Sequence, residues 1–265
     1  MAKAKEEKKE VAVKEEAGLP AIMSEMEKDG LEASGMDDIS SKDCAIPFLS
    51  ILQSNSPQLQ PGTKIEGASI GDLFNTVTNE LIKAPVDVVA CAFKHCIVEW
   101  RPDRGGFVRQ HDTDEMMSQT KKNEKGKDIL PNGNELVNTD YQFVLLKHSD
   151  GRAERSVIAF TSTQIKKSRK WNSQKRDVQF PNAKGKMFHP PVYGVMYSLN
   201  TVPESNKLGH WMGFNISNPR IITDAELYAR AKAFRAEVVG GKVDITPPAS
   251  EAAEVAEPTG SENVM

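Results

Sequence analysis

The stretch Val86–Trp100, VDVVACAFKHCIVEW, is rich in β-branched and aromatic residues. Such side chains favour an extended backbone, so the stretch predicts one long strand that accommodates a bulge. The turn residues Asp103-Arg104-Gly105-Gly106 follow it. They predict that residues 107–110 turn back and pair with this strand.

Further strand signals lie on both sides of this stretch. Residues 46–53, IPFLSILQ, form an apolar run of strand length. Three pairs of strand-like runs flank turn residues and predict hairpins. These pairs are 73–78 with 81–83, 141–148 with 154–161, and 192–202 with 208–217.

Helix starts are marked by capping boxes, in which a small polar residue precedes Glu or Gln by three positions. The three boxes are Asp112 with Glu115, Thr161 with Gln164, and Thr223 with Glu226. They predict a short helix to about residue 120, a helix to about 178, and a closing helix that Gly240-Gly241 ends. The polar segments 121–134 and 181–191 are predicted loops.

The order of the central elements predicts the architecture. It runs three strands, a helix, two strands and a closing helix, and its first six elements follow the order of an OB-fold. The sequence therefore predicts a mainly β protein with flanking helices (α+β), built as an OB-fold-like Greek-key barrel. Residues 44–83 would add an extra hairpin or extend the barrel.

Both ends of the chain differ from this middle part. Residues 1–43 are dominated by Lys, Glu, Asp, Ser and Gly, and residues 241–265 by Pro, Ala, Glu and Ser. Few apolar groups are present to offset the entropy of ordering. We predict a disordered charged arm over 1–43, a folded domain over 44–240 and a disordered acidic tail over 241–265.

Composition excludes several classes of protein. The chain has 265 residues, a net charge of −3 and three cysteines at irregular spacing, which argues against a disulfide framework. No apolar run approaches the roughly 18 residues of a membrane span, and the charged N-terminus is unlike a signal peptide. We expect a protein that is not bound to membranes, in the cytoplasm, and in the host cytoplasm if a phage encodes it.

Two charge blocks of opposite sign point to function. Residues 151–186 carry ten basic and two acidic side chains, and residues 251–265 carry four acids and no base. A basic patch binds polyanions through counterion release, and an acidic tail can compete for that patch or recruit a basic partner. The acids of the tail are Glu251, Glu254, Glu257 and Glu262.

The candidate binding residues combine cations with aromatic rings. Cations neutralise phosphates, and exposed rings stack on bases of any identity. The predicted phosphate-binding residues are Lys166, Lys167, Arg169, Lys170, Lys175, Arg176, Lys184 and Lys186. The predicted stacking residues are Trp171, Phe188, Tyr193, Tyr197 and Trp211, for which burial in the core is the alternative.

Catalytic and metal signals are weak. The chain has no phosphate-binding Gly-Lys loop, no nucleophile elbow and no zinc-protease motif. Cys91, His95 and Cys96 lack the spacing of a usual zinc site, so buried thiols are the expectation. The sequence thus predicts no catalytic residues, no cofactor and no metal.

Three segments and the tail carry a resemblance to a known family. The segments are AIPFLSILQSNSPQ (45–58), GDLFNTVTNE (71–80) and TSTQIKKSRKWNS (161–173). With the acidic tail, they resemble bacteriophage single-stranded DNA-binding proteins. The resemblance implies an OB-fold, sequence-independent binding of single strands, and a tail that contacts replication or recombination proteins. In this chain the tail ends Asn263-Val264-Met265, without the terminal aromatic residue that such tails often carry.

These observations favour a non-enzymatic protein that binds single-stranded DNA in phage replication or recombination. One alternative is a structural or assembly protein, since charged ends and a β-rich body suit that role equally well. A less favoured alternative is a metal-dependent nuclease that uses Asp140, Asp150 and Glu154. A preference for DNA over RNA and self-association into a homo-oligomer both stay open.

Overall fold

A computed structural model describes residues 22–24, 26, 44–206 and 209–247. The chain divides into two units, 1–44 and 45–265. In the first unit, the described residues 22–24 and 26 are helical and exposed.

The described part of the second unit is mainly β, with two α-helices, as the sequence predicts. The strands are β1 Leu49–Ile51, β2 Leu73–Asn75, β3 Leu81–Ile82, β4 Val86–Trp100, β5 Phe107–His111, β6 Lys121–Lys122, β7 Asp128–Ile129, β8 Glu135–Lys147, β9 Ala153–Thr161, β10 Phe180–Pro181, β11 Met187–Phe188, β12 Val195–Asn206 and β13 Gly209–Ile221. The helices are α1 Ile165–Asp177 and α2 Ala225–Val239.

One curled antiparallel sheet forms the body of the domain, with the strand order β13-β12-β4-β8-β9. The strands β4, β8 and β9 form a meander, α1 follows, and the hairpin β12–β13 returns to lie beside β4. This is the Greek-key order of an OB-fold. Because each pairing is antiparallel, β9 and β13 run parallel to each other at the two ends of a half-barrel.

The long strand β4 curls the sheet by exchanging partners along one edge. Val86–Val89 pairs with β12 and Ile97–Trp100 pairs with β5, while β8 follows the other edge throughout. The register shifts between Ala90 and Ala92, which confirms the predicted bulge. A bulge redirects the side chains that follow it.

Each face of the sheet has its own core. The concave face packs on α1 and on the small sheet β1-β2-β3, and its largest buried side chains include Trp171, Tyr197 and Phe160. The convex face packs on α2 through Leu227, Ala231 and Phe234. Residues 241–247 also follow this face, and Ile245 is buried against it.

The start of the small sheet lies in the gap between β9 and β13. Phe48 bridges Val157 of β9 in parallel, and Val157 N–H donates to the Pro47 carbonyl at 2.9 Å. Five residues later, the Gln53 side chain bonds both the N–H and the carbonyl of Met212 in β13, at 2.8 and 2.9 Å. Residues 47–53 therefore connect the two edges of the half-barrel.

Some local details differ from the sequence expectations because other residues form the hydrogen bonds. The helix α2 is capped by Asp224, not Thr223, because the Asp224 carboxylate accepts from the N–H groups of Glu226 and Leu227 at 2.9 and 3.1 Å. The box at Asp112 begins only a 3₁₀ helix, Glu115–Gln119. The two predicted loops hold the short strands β6 and β7, and β10 and β11.

Two buried carboxylates lie where the C-terminal end of β4 pairs with the N-terminal end of β8. Glu99 accepts from Arg109, His111 and Asn134 at 3.0, 2.9 and 2.6 Å. Burial alone would raise its pKa, but these hydrogen bonds bring the pKa below its ordinary value. In Glu135, burial is likewise outweighed by bonds from neighbouring cations, so its pKa is also lowered.

These lowered pKa values predict that the free energy of unfolding decreases in acid. The unfolded chain takes up protons at these carboxyls before the native chain does, so the contribution is complete above about pH 4.3 and is lost as the pH falls through the native pKa values. We expect the free energy of unfolding, measured by urea denaturation from pH 7 to 3, to fall less steeply in Glu99→Gln/Glu135→Gln. Glu66→Gln, at an exposed carboxyl, should keep the slope of the unchanged protein, and equal slopes in all three proteins would contradict this explanation.

Candidate nucleic-acid interface

The basic side chains of α1 lie on its outer face. Ser168 and Trp171 point into the domain, whereas Lys166, Arg169 and Lys170 are exposed. This division follows from the helical period, which places residues three and four apart on one side. The sequence KKSRKW (166–171) thus puts most of its cations outward because its single large apolar residue, Trp171, is buried in the core.

The exposed cations of α1 differ in whether they have a counter-charge. Lys166, Arg169 and Lys170 lie beyond ion-pair distance of every described carboxylate. Lys167, in contrast, pairs with Glu204 at 2.5 Å, and Arg176 pairs with its neighbour Asp177 at 3.1 Å. The first three residues therefore form a positive surface without a counter-charge among the described residues, which we call the α1 basic face.

Two more predicted cations lie on the hairpin that follows α1. Lys184 and Lys186 are exposed in the turn between β10 and β11, where the Asn182 side chain accepts from both of their backbone N–H groups at 2.9 and 3.0 Å. The predicted stacking residue Phe188 lies opposite Phe180 in this hairpin and is half-buried. The hairpin thus offers charge and only part of an aromatic surface.

Lys175 is placed differently from the other predicted cations. Its Nζ donates to Gln142 Oε1 at 2.7 Å and lies 4.7 Å from the Trp171 ring centre and 5.9 Å from that of Phe93. Burial lowers its pKa to about 8, against the opposing charge of Asp140. Lys175 therefore belongs to a polar network on the concave face and not to the α1 basic face.

Two of the predicted stacking residues are core residues. Trp171 is 1 % exposed and Tyr197 is fully buried, and their ring centres lie 5.5 Å apart in an edge contact. Phe160 packs on the other side of Trp171 at 6.4 Å. Neither Trp171 nor Tyr197 is free to stack on a base in this conformation.

The remaining two predicted rings are half-buried. Tyr193 lies against Tyr228 of α2, with ring centres 5.4 Å apart. The Trp211 indole N–H donates to Glu204 Oε2 at 3.0 Å. Because Glu204 also binds Lys167, Trp211 is fastened to the N-terminal half of α1.

An exposed ring that sequence reasoning missed lies beside the C-terminal half of α1. Phe93 follows the bulge in β4 and is 44 % exposed on the concave face, directly opposite Gln142 of β8. His95 lies on the same face and binds Asp140 at 2.8 Å. The sequence carried no signal for this placement, because only the bulge determines which residues after position 91 face inward.

The surface by which OB-folds usually bind oligomers, the outer face of the second and third strands, is covered here. Those strands correspond to β8 and β9, and α2 lies across them. Phe143 of β8 contacts Phe234 at 6.2 Å, and Arg155 of β9 forms a two-pronged ion pair with Glu237 at 2.8 and 2.9 Å. The α1 basic face and Phe93 lie on the opposite side of the sheet.

The carboxylates considered for a nuclease have separate partners. Asp140 binds His95, Asp150 binds Arg152 at 2.6 Å, and Glu154 binds His148 at 2.9 Å. The predicted thiols Cys91 and Cys96 are buried in the core on the convex face of the sheet. Burial raises the pKa of each thiol to about 12. The acidic residues of the predicted tail, Glu251, Glu254, Glu257 and Glu262, lie outside the described residues.

The described part of this chain is a mainly β half-barrel with the strand order of an OB-fold, packed against a helix with an exposed basic face. Comparison with protein families assigns it to a group of bacteriophage proteins. The chain belongs to the Pam3 phage gp34-like protein family, whose model matches residues 12–244.

No curated protein and no solved structure matches the chain. Among the described residues, no helix has the length and apolar character that crossing a membrane requires.

Proposed function

We propose that this phage protein is a non-enzymatic binder of single-stranded nucleic acid in replication or recombination. The observation that supports the proposal is the α1 basic face, three neighbouring cations without a described counter-charge. An unpaired cluster of like charge lowers its own repulsion when it binds a polyanion and releases condensed counterions.

The second element of the proposed surface is Phe93. Its exposed ring lies beyond the C-terminal half of α1, so a strand that follows the helix can place a base on it. Only an unstacked base can lie on such a ring, which favours single strands over a duplex. Lys184 and Lys186 would extend the phosphate contacts past the end of the helix.

The proposed path differs from that of a usual OB-fold. Because α2 covers the outer face of β8 and β9, we place the strand on the α1 side of the sheet. The predicted tail, residues 241–265, is proposed to contact replication or recombination proteins through Glu251, Glu254, Glu257 and Glu262.

Fluorescence anisotropy of a labelled oligo(dT) tests the proposal. Five phosphate contacts give a single strand a slope of about −3.5 in log affinity against log salt, so affinity should fall about 100-fold between 50 and 200 mM salt. Duplex DNA should compete poorly, and labelled oligo(U) measures any preference for DNA. Absence of binding at 50 mM salt would overturn the proposal, and self-association in sedimentation velocity would then favour an assembly role.

Phe93→Ala separates stacking from charge. Loss of one stacked base costs about 1 to 3 kcal/mol, so we expect an affinity about 5-fold to 160-fold weaker, with an unchanged salt slope. Tyr228→Ala removes a partly exposed ring on the opposite side of the sheet and should leave affinity unchanged. Equal affinities of both variants and the unchanged protein would show that Phe93 does not contact the nucleic acid.

A further inference from the structure

A mixed cluster of one imidazole and two carboxylates lies where the small sheet meets the main sheet. Its members are Glu80 in the turn between β2 and β3, His148 directly after β8, and Glu154 in β9. One potential ligand atom of each residue lies within 4.8 Å of the other two. Three separate elements thus supply the groups that converge.

The cluster has an excess of acceptors. His148 Nε2 lies 2.9 Å from Glu154 Oε2, and His148 Nδ1 lies 3.8 Å from Glu80 Oε1. A neutral imidazole has one N–H, so it can donate to only one of these carboxylates while its lone pair faces the other. Asn75 donates to Glu154, and Arg152 approaches Glu80 only to 3.6 Å.

The surroundings are enclosed on one side and open on the other. The His148 side chain is only 8 % exposed, whereas a cavity of about 540 Å³ borders both Glu80 and His148. Asp87 also lines this cavity. Partly buried ligands next to an open space are the arrangement of a metal site that keeps positions for water or a further ligand.

We propose that Glu80, His148 and Glu154 bind a first-row divalent cation such as Zn²⁺ or Mn²⁺. These ions accept both imidazole nitrogen and carboxylate oxygen, whereas Ca²⁺ prefers oxygen alone. Bonds of about 2.0 to 2.2 Å place neighbouring ligand atoms about 3.0 to 3.6 Å apart, so binding requires the side chains to close in from their present separations of up to 4.8 Å. Arg152 already binds Asp150, so Glu80 can turn from it toward the ion.

The cation would fasten two parts of the fold. Glu80 belongs to the small sheet, and His148 and Glu154 flank the hairpin between β8 and β9. An ion bound by all three residues would join the small sheet β1-β2-β3 to the β8–β9 end of the main sheet. Its effect is structural and does not rest on the proposed binding of nucleic acid.

Metal titration of untagged, chelator-treated full-length protein tests the site. With Zn²⁺ at about one hundred times its Kd, the Tm should rise by about 5 to 10 °C. Mn²⁺ should bind in a one-to-one ratio, and electron spin echo spectroscopy of the bound Mn²⁺ should detect one coupled ¹⁴N nucleus from His148. Ca²⁺ should bind more weakly.

Variants of the cluster test whether its residues bind the ion. Glu80→Gln, at a partly exposed position that folding tolerates, should weaken Zn²⁺ and Mn²⁺ at least 10-fold, as should His148→Gln. Glu66→Gln, at an exposed carboxyl outside the cluster, should bind like the unchanged protein. The assignment is overturned if no stoichiometric ion binds, if bound Mn²⁺ lacks nitrogen coupling, or if Glu80→Gln keeps full affinity. In that last case direct contacts of His148 with the two carboxylates account for the geometry.

Discussion

Replacement of Lys166, Arg169 and Lys170 by glutamine is expected to lower the affinity for oligo(dT) about 100-fold at 50 mM salt. Each lost phosphate contact removes about 0.7 from the salt slope, so the triple variant should lose about 2 of the 3.5 expected for the unchanged protein. Anisotropy titrations at four salt concentrations measure both quantities. Because all three side chains are exposed, the Tm should change little.

A matched variant controls for net charge. Lys64→Gln/Lys125→Gln/Lys232→Gln removes the same charge at three exposed positions in other parts of the described chain. It should keep most of the affinity and the full salt slope. An equal loss in both triple variants would show that net charge, and not the α1 basic face, determines binding.

Trp171→Ala is expected to destabilise the domain by about 3 to 5 kcal/mol, because it empties a site that Phe160, Tyr197 and the Lys175 side chain surround. For a domain of this size the loss corresponds to a fall in Tm of about 10 °C or more. Urea denaturation measures the loss. At a temperature where the variant stays folded, its affinity for oligo(dT) should fall far less than that of the α1 triple variant.

Trp211→Ala provides the comparison for this prediction. Trp211 is half-buried and holds one hydrogen bond to Glu204, so its loss should cost only about 1 to 2 kcal/mol. A small stability loss in Trp171→Ala, combined with a large affinity loss, would contradict the core assignment. It would show instead that Trp171 turns outward to stack on a base.

The order of strands and helices was predictable because it depends on local patterns. The run of β-branched residues in Val86–Trp100 and the turn residues around 149–151 need no partner to be recognised. The OB-type order followed from them, and the pairing of β12 with β4 agrees with it. The capping residue of α2 was missed by one position, since Thr223 and Asp224 are both good caps and only geometry selects between them.

The surface was less predictable, because exposure depends on partners distant in sequence. Five polar or charged residues directly precede Trp171 and six follow it, yet its ring is buried in the core of the concave face. Lys175 lies beside this ring and donates to Gln142 of β8. The sequence predicts a bulge in the strand of Phe93 but not its position, and the bulge between Ala90 and Ala92 is what turns Phe93 toward α1. The three residues of the proposed metal site, Glu80, His148 and Glu154, lie in two hairpins and share no sequence motif.

The placement of residues 47–53 has a consequence for synthesis on the ribosome. Phe48 and Gln53 emerge early, but Gln53 meets its partner only when Met212 has been made. Until then the edge of β12 lacks its partner β13, and such unpaired edges recruit other strands. Closure is therefore a late event, and a chain that stops before residue 212 should associate with copies of itself rather than complete the domain.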